Sequence, residues 1–219
     1  MLNIILIGPQ GCGKGTQAQY ILNTYKLTYI EAGAMIRTRA HLHDKKAEIL
    51  NHLSSQKGIL LPDGIVMDMV CDEIEENMSI NGYLFDGFPR STMQYTALSD
   101  FLAERKIKIN IGLYIHISDE ESIKRLGARR ICEKCKKGYS LFLEPNRTVC
   151  ACGGCLIKRQ DDEPTAIAHR LDEFHKSTSP ILQLMKNDGI LKEINGEQSI
   201  DLISSEIQKY LTIENAPVA

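Results

Sequence analysis

Gly8-Pro9-Gln10-Gly11-Cys12-Gly13-Lys14-Gly15-Thr16-Gln17 decides the fold through what it is and what flanks it. Leu2 to Ile7 ahead of it is an unbroken apolar run, the pattern of a strand buried on both faces. Behind it, helical spacing runs from Thr16 to about Thr24. Strand, glycine-rich loop and helix together make an anion cradle. Glycines let backbone N–H groups converge on phosphate oxygens without Cβ clashes, the helix start adds its positive dipole end, and Lys14 supplies a full charge to β- and γ-phosphates. The spacing fits GxxxxGK, but Gly15 follows the lysine and the hydroxyl arrives one place later, at Thr16.

Working outward, strands and helices alternate. Asp44 reads as the N-cap of a helix that stops at Gly58, and Pro62-Asp63 opens another that runs to about Glu76. Tyr83 to Phe85 and Ile107 to Ile117 read as strands. An acid-started helix follows from Asp119 to about Ala128, and residues 131–158 turn irregular. Helical spacing returns from Pro164 to Lys186, and a strand at 190–194 and an amphipathic helix close the chain. This alternation predicts an α/β, doubly wound parallel sheet. Asp86 then falls at the carboxyl end of a strand, where such sheets bind ligands.

The 219 residues are 43% hydrophobic and 25% charged, with a net charge of −2, an ordinary globular balance. Nucleic-acid binders usually carry a basic excess, which this chain lacks, so anion binding must come from local clusters of Arg and Lys. The apolar start is too short and lacks the basic flank of a signal peptide. No apolar run approaches the roughly 20 residues that span a bilayer. The expectation is a cytoplasmic protein with no membrane and no nucleic-acid partner. Five of the seven cysteines fall between Cys132 and Cys155, which points to metal before disulfide. Cys132-Glu-Lys-Cys135 has knuckle spacing, and the second half of a tetrathiolate set must come from Cys150, Cys152 and Cys155.

The loop, written GxxGxGKGTQ, and Asp86-Gly87-Phe88-Pro89-Arg90 with Gln94 four residues on resemble the signatures of the adenylate kinases. The resemblance covers essentially the whole chain and is to the long-lid, zinc-bearing bacterial members. It implies a P-loop NTPase-like fold with an inserted acceptor-nucleotide lobe and a zinc-stapled lid. The core would span 1–30, 62–127 and 163–219, the acceptor lobe 31–61 and the lid 128–162. It implies Mg-ATP as donor, AMP as acceptor, ADP as product and a monomer.

By the same resemblance, Gly11, Cys12, Gly13, Lys14, Gly15, Thr16, Arg125, Arg129, Gly138, Tyr139 and Gln198 would meet ATP. Asp86 would hold the water shell of Mg²⁺. Ala32, Arg37, Ile59, Leu60, Leu61, Gly87, Phe88, Pro89, Arg90, Gln94, Arg159 and Arg170 would meet AMP, Gln94 at the adenine edge. Arg125, Arg129, Arg159 and Arg170 would surround the transferring phosphoryl group, and Asp161 and Asp162 match a hinge pair. Cys132, Cys135, Cys150 and Cys152 would hold one structural Zn²⁺, with Cys155 a spare thiol or an alternative ligand. The segment from Ile30 to Arg37 keeps the family's Gly33 and Arg37 but departs at Glu31, Ala32 and Ala34. Ala32 is common in UMP/CMP kinases, which keeps a pyrimidine acceptor as the alternative, whereas Gln94 argues against it. A non-catalytic zinc-ribbon module that binds nucleotide or nucleic acid is the alternative from another class.

Overall fold

A computed structural model describes residues 1–40, 62–159 and 162–214. Among them, five parallel strands form the central sheet: β1 (Ile4–Ile7), β2 (Thr28–Glu31), β3 (Tyr83–Asp86), β4 (Ile111–His116) and β8 (Leu191–Asn195), in the order β2-β3-β1-β4-β8. The helices are α1 (Lys14–Tyr25), α2 (Ala32–Ala40), α3 (Asp63–Glu76), α4 (Thr92–Glu104), α5 (Asp119–Gly127), α6 (Pro164–Glu173), α7 (Ile181–Asn187) and α8 (Ile200–Glu214), with a π-helical turn at Phe174–Thr178. The doubly wound parallel sheet expected from the alternation is present.

Side chains alternate across a strand, so β1 faces two layers. Ile5 and Ile7 join Val66, Val70 and Ile74 of α3, Leu98 and Leu102 of α4 and Met185 of α7. Ile4 and Leu6 join Ala18 and Ile21 of α1 and Ile203, Ile207 and Leu211 of α8. At the foot of the sheet, the buried Asn3 replaces a ladder. Its Oδ1 accepts from Tyr83 N (3.0 Å) and its Nδ2 donates to Lys108 O (2.8 Å).

Several elements differ from the sequence expectation. β2 was not anticipated: Thr28-Tyr-Ile-Glu has one fully buried residue, Ile30, so it shows no apolar run. α4 was not anticipated either. Ser91 caps it by accepting from Gln94 N (3.1 Å), but its inward face includes the polar Gln94. Residues 107–110 precede β4 rather than belonging to it. The helical stretch from Pro164 to Lys186 is broken where Ser179 N bonds five residues back to Phe174 O (2.7 Å), just ahead of Pro180. The segment read as irregular holds a second, antiparallel sheet of β5 (Arg129–Cys132), β6 (Gly138–Ser140) and β7 (Leu156–Ile157). The helix expected between Asp44 and Gly58 lies outside the described residues, as do Ile59, Leu60, Leu61 and Asp161.

Gly82 starts β3 at φ +115°, and a Cβ there would stand 2.2 Å from Leu2 O. Gly82→Ala is expected to lower unfolding free energy by at least about 2 kcal/mol, read from urea denaturation, through strain and the forced shift of β1 against β3.

Candidate active site

The loop between β1 and α1 is shaped from behind. Gly8, at φ +155°, lies where a Cβ would meet Ile115 O at 2.3 Å and Cys12 Sγ at 2.7 Å. Gly11, at φ +86°, packs against α5, where a Cβ would be 3.3 Å from Leu126 Cγ and 3.6 Å from Arg125 Cβ. Ser122 Oγ of α5 donates to Gln10 O. Cys12 is buried in the core beneath the loop and so acts there through its backbone. Gly13 enters α1 at φ 99°, and no side chain caps the helix or places an acid in its first turn. Cβ atoms at Gly13 and Gly15 would meet nothing within 4 Å, so that side of the loop is open. Lys14 Nζ donates to Gly8 O (2.6 Å) and Pro9 O (3.0 Å), which keeps the ammonium over the loop. Thr16 also lines a groove of about 320 Å³ with Tyr20, Ile200, Asp201, Ser204 and Ser205.

Next to the loop, β2 and β3 end side by side, with Glu31 opposite Asp86 in the ladder. Asp86 is buried and accepts from the Tyr29 hydroxyl (2.9 Å). Burial, then the Asp86 charge, push the Tyr29 phenol above its ordinary value, so it remains a neutral donor. Arg90 folds back so that Nε donates to Gly87 O (2.7 Å), and a Cβ at Gly87 would stand 3.1 Å from Arg90 Nη2. Arg37 Nη2 donates to Glu31 Oε1 (2.9 Å) across Gly33. Ala32 is buried at the start of α2, and Phe88 and Pro89 are buried, so these three anchor the segments that carry the arginines. Gln94 is 4% exposed; its Oε1 accepts from Arg90 N (2.7 Å) and its Nε2 donates to Asp63 Oδ1 (2.8 Å). By valence one N–H and one lone pair remain for a base.

The remaining arginines cluster on carboxylates. Arg125 Nε donates to Glu121 (2.7 Å) within α5. Asp162 is 0% exposed, and a buried carboxylate must be paired. Arg129 forks it through Nε (2.7 Å) and Nη2 (2.5 Å), while Arg170 Nη1 of α6 lies 3.6 Å away. Arg159 adjoins this hub, its carbonyl accepting from Asp162 N (3.2 Å). Gln198 donates to Asn195 O (3.2 Å) ahead of α8, and Gly138 is exposed in β6.

In the small antiparallel sheet, the sulfurs of Cys132, Cys135, Cys150 and Cys152 lie within 4.8 Å of one another. The Cys132–Cys152 and Cys135–Cys150 pairs are 3.4 and 3.5 Å apart. Tetrahedral thiolates about 2.3 Å from an ion stand about 3.8 Å apart, so this set fits a closed metal site. Cys155 is not among the four; its amide donates to Glu133 Oε1 (3.1 Å). The Cys152 amide, then the Tyr139 hydroxyl, pull the Cys150 thiol down to about 6, toward the thiolate a metal requires. Gly154 lets the turn pass the sulfurs, since a Cβ there would be 2.6 Å from Cys132 Sγ.

The profile described as adenylate kinase matches residues 6–190. The chain belongs to the adenylate kinase family. It is 34% identical to the adenylate kinase of Clostridium acetobutylicum over 215 residues, which is 96% of this chain and 99% of that one. The Staphylococcus epidermidis adenylate kinase is 36% identical over 94% of this chain and 97% of its own length. The Caldicellulosiruptor saccharolyticus adenylate kinase is 33% identical over 97% of this chain and all of its own.

Most residues expected from the adenylate kinase resemblance meet at two places: the loop with α5, and the ends of β2 and β3. The Tyr139 ring is turned toward the cysteine cluster. It is buried in the lid sheet at 8% exposure, with its hydroxyl 3.0 Å from Cys150 Sγ and the Arg147 guanidinium 4.6 Å over its ring. Sequence reasoning missed Tyr29, Ser122 and the role of Asp63. Only Asp63 left a signal, as the residue after Pro62 at a helix start, and its tie to Gln94 spans 31 positions.

The four-sulfur set yields a discriminating outcome. Cys150→Ser is expected to lose the bound metal ion, measured by elemental analysis of protein purified under reducing conditions, and to lower Tm. Cys155→Ser is expected to keep both.

Proposed function

We propose that this member of the adenylate kinase family transfers a phosphoryl group reversibly from Mg-ATP to AMP, giving two ADP. The observation that carries the reading is the open glycine loop with Lys14 standing beside Asp86, Arg90 and Arg37 at the carboxyl ends of adjacent strands. Lys14 and the loop amides hold the donor phosphates, and the uncapped start of α1 adds its dipole. Arg37 and Arg90 take the acceptor phosphate, with Gln94 and the segment including Ile59, Leu60 and Leu61 at its base. Arg125, Arg129, Arg159 and Arg170 neutralise the group in flight, where charge spreads over equatorial oxygens and catalysis is positioning plus electrostatics. Asp86, held by Tyr29, would order the water shell of the Mg²⁺ that arrives with ATP, which would offset charge on the phosphates. The acceptor phosphate is already anionic, so no general base is needed.

Residues 31–61 form the acceptor lobe and 128–162 the lid in this reading. Cys132, Cys135, Cys150 and Cys152 would hold one structural Zn²⁺, whose role would be to staple the lid rather than to catalyse. The lid excludes water on closing and so suppresses ATP hydrolysis. The protein works as a monomer in the cytoplasm; among the described residues, no helix is long and apolar enough to cross a membrane. The relatives named above are all adenylate kinases, which speaks against the pyrimidine and zinc-ribbon alternatives.

A coupled assay with ATP or GTP as donor and AMP, CMP, UMP or GMP as acceptor is expected to single out AMP. Lys14→Ala is expected to lower kcat/KM by about a hundredfold or more, the loss of about 2.7 kcal/mol or more that follows removal of one key electrostatic donor. Near-normal turnover in that variant overturns the assignment.

A further inference from the structure

The two strand ends at the acceptor side are built alike. β3 ends on Asp86, then Gly87, with the Arg90 guanidinium folded back over the glycine. β2 ends on Glu31, and Gly33 follows, with the Arg37 guanidinium folded back so that a Cβ there would be 3.0 Å from Arg37 Nη1 and 3.7 Å from Glu31 Oε1. The carboxylates differ in how they are held. Asp86 is buried beneath the Tyr29 hydroxyl. Glu31 and Arg37 are 36% and 57% exposed, with their contact 2.9 Å long. Arg90 feels the charges of Asp86, Arg37 and Glu31 together. Among the described residues, two carboxylates thus face two guanidiniums at these strand ends.

We propose that Glu31 is an internal stand-in for the acceptor phosphate: its carboxylate occupies Arg37, and the incoming nucleotide must displace it. This rests on the reading above that Arg37 and Arg90 take the acceptor phosphate. Competition acts twice. The phosphate must break the Glu31–Arg37 contact, and it then sits near a carboxylate that has lost its partner. An exposed ion pair of this kind contributes up to about a fivefold factor. Glu31 thus raises the acceptor KM without touching the donor site, and it returns to Arg37 as product leaves. A site held by its own carboxylate also resists occupation by singly charged anions, which compete with Glu31 at equal charge, whereas a phosphate dianion competes at double charge.

The test is steady-state kinetics on the wild type, Glu31→Gln, Arg37→Gln and the double variant, with AMP binding measured by calorimetry in parallel. Phosphoryl transfer to AMP by the wild type checks the functional reading on its own; its absence ends that reading, not merely this inference. Given transfer, Glu31→Gln is expected to lower the KM for AMP and the calorimetric Kd about three- to fivefold, with the KM for ATP as the control for the donor site. In the Arg37→Gln background only the repulsion between Glu31 and the phosphate remains, so the same substitution is expected to lower the KM for AMP by a smaller factor than in the wild-type background. A KM equal to or above the wild type's in Glu31→Gln, or a full drop that persists without Arg37, overturns the proposal.

Discussion

The loop after β1 can turn its amides toward a polyanion only because other elements hold its back. Ile115 O lies where a Cβ on Gly8 would be, α5 fills the space beside Gly11, and Ser122 ties down Gln10 O. A loop of successive amides aimed at one point is electrostatically unfavourable without an anion, and it persists when its surroundings over-determine it. The helix that braces the loop also carries Arg125, and the chain then enters β5 with Arg129. Support, cation and the path to the lid thus come from one short stretch of sequence.

Lys14 and Arg90 rest on loop carbonyls, while other cations at the site are lent to carboxylates. Arg129 and Arg170 share Asp162, Arg125 leans on Glu121, and Arg37 rests on Glu31. Unpaired guanidiniums crowded together would repel one another. A chain with a net charge of −2 can therefore concentrate cations locally without destabilising its own fold. The buried Asp162 has the largest effect, since burying its charge demands partners from both β5 and α6. That carboxylate ties β5 to α6.

Much of this was legible in the sequence because the signals are local. The loop glycines, the Asp86-to-Arg90 segment and the Cys132–Cys135 knuckle each fall within a few residues, where backbone geometry dictates residue type. What escaped depends on long-range pairing. β2 is a strand because β3 offers it a ladder, and its own four residues carry too little apolar pattern. Tyr29 matters through Asp86, 57 positions away, and Asp63 through Gln94 and Ser91. The direction of the Tyr139 ring also escaped, because a motif gives a position in the chain but not where a ring turns; here it packs with Cys132 and Cys150. Spacing alone leaves Cys150 and Cys155 open; the resemblance favours Cys150, and the structure groups its sulfur with those of Cys132, Cys135 and Cys152.

β1 is four residues long, yet it contributes Ile5 and Ile7 to one apolar layer and Ile4 and Leu6 to the other. Neither layer can lose this shared wall without exposing the other. The two faces of the sheet consequently form one cooperative unit, although they are built from helices far apart in sequence. The lid sheet shares no such wall: its buried cluster of Cys132, Tyr139 and Cys150 includes none of the residues of the central layers. The small sheet is therefore packed around a core of its own, made of side chains that the central sheet does not share.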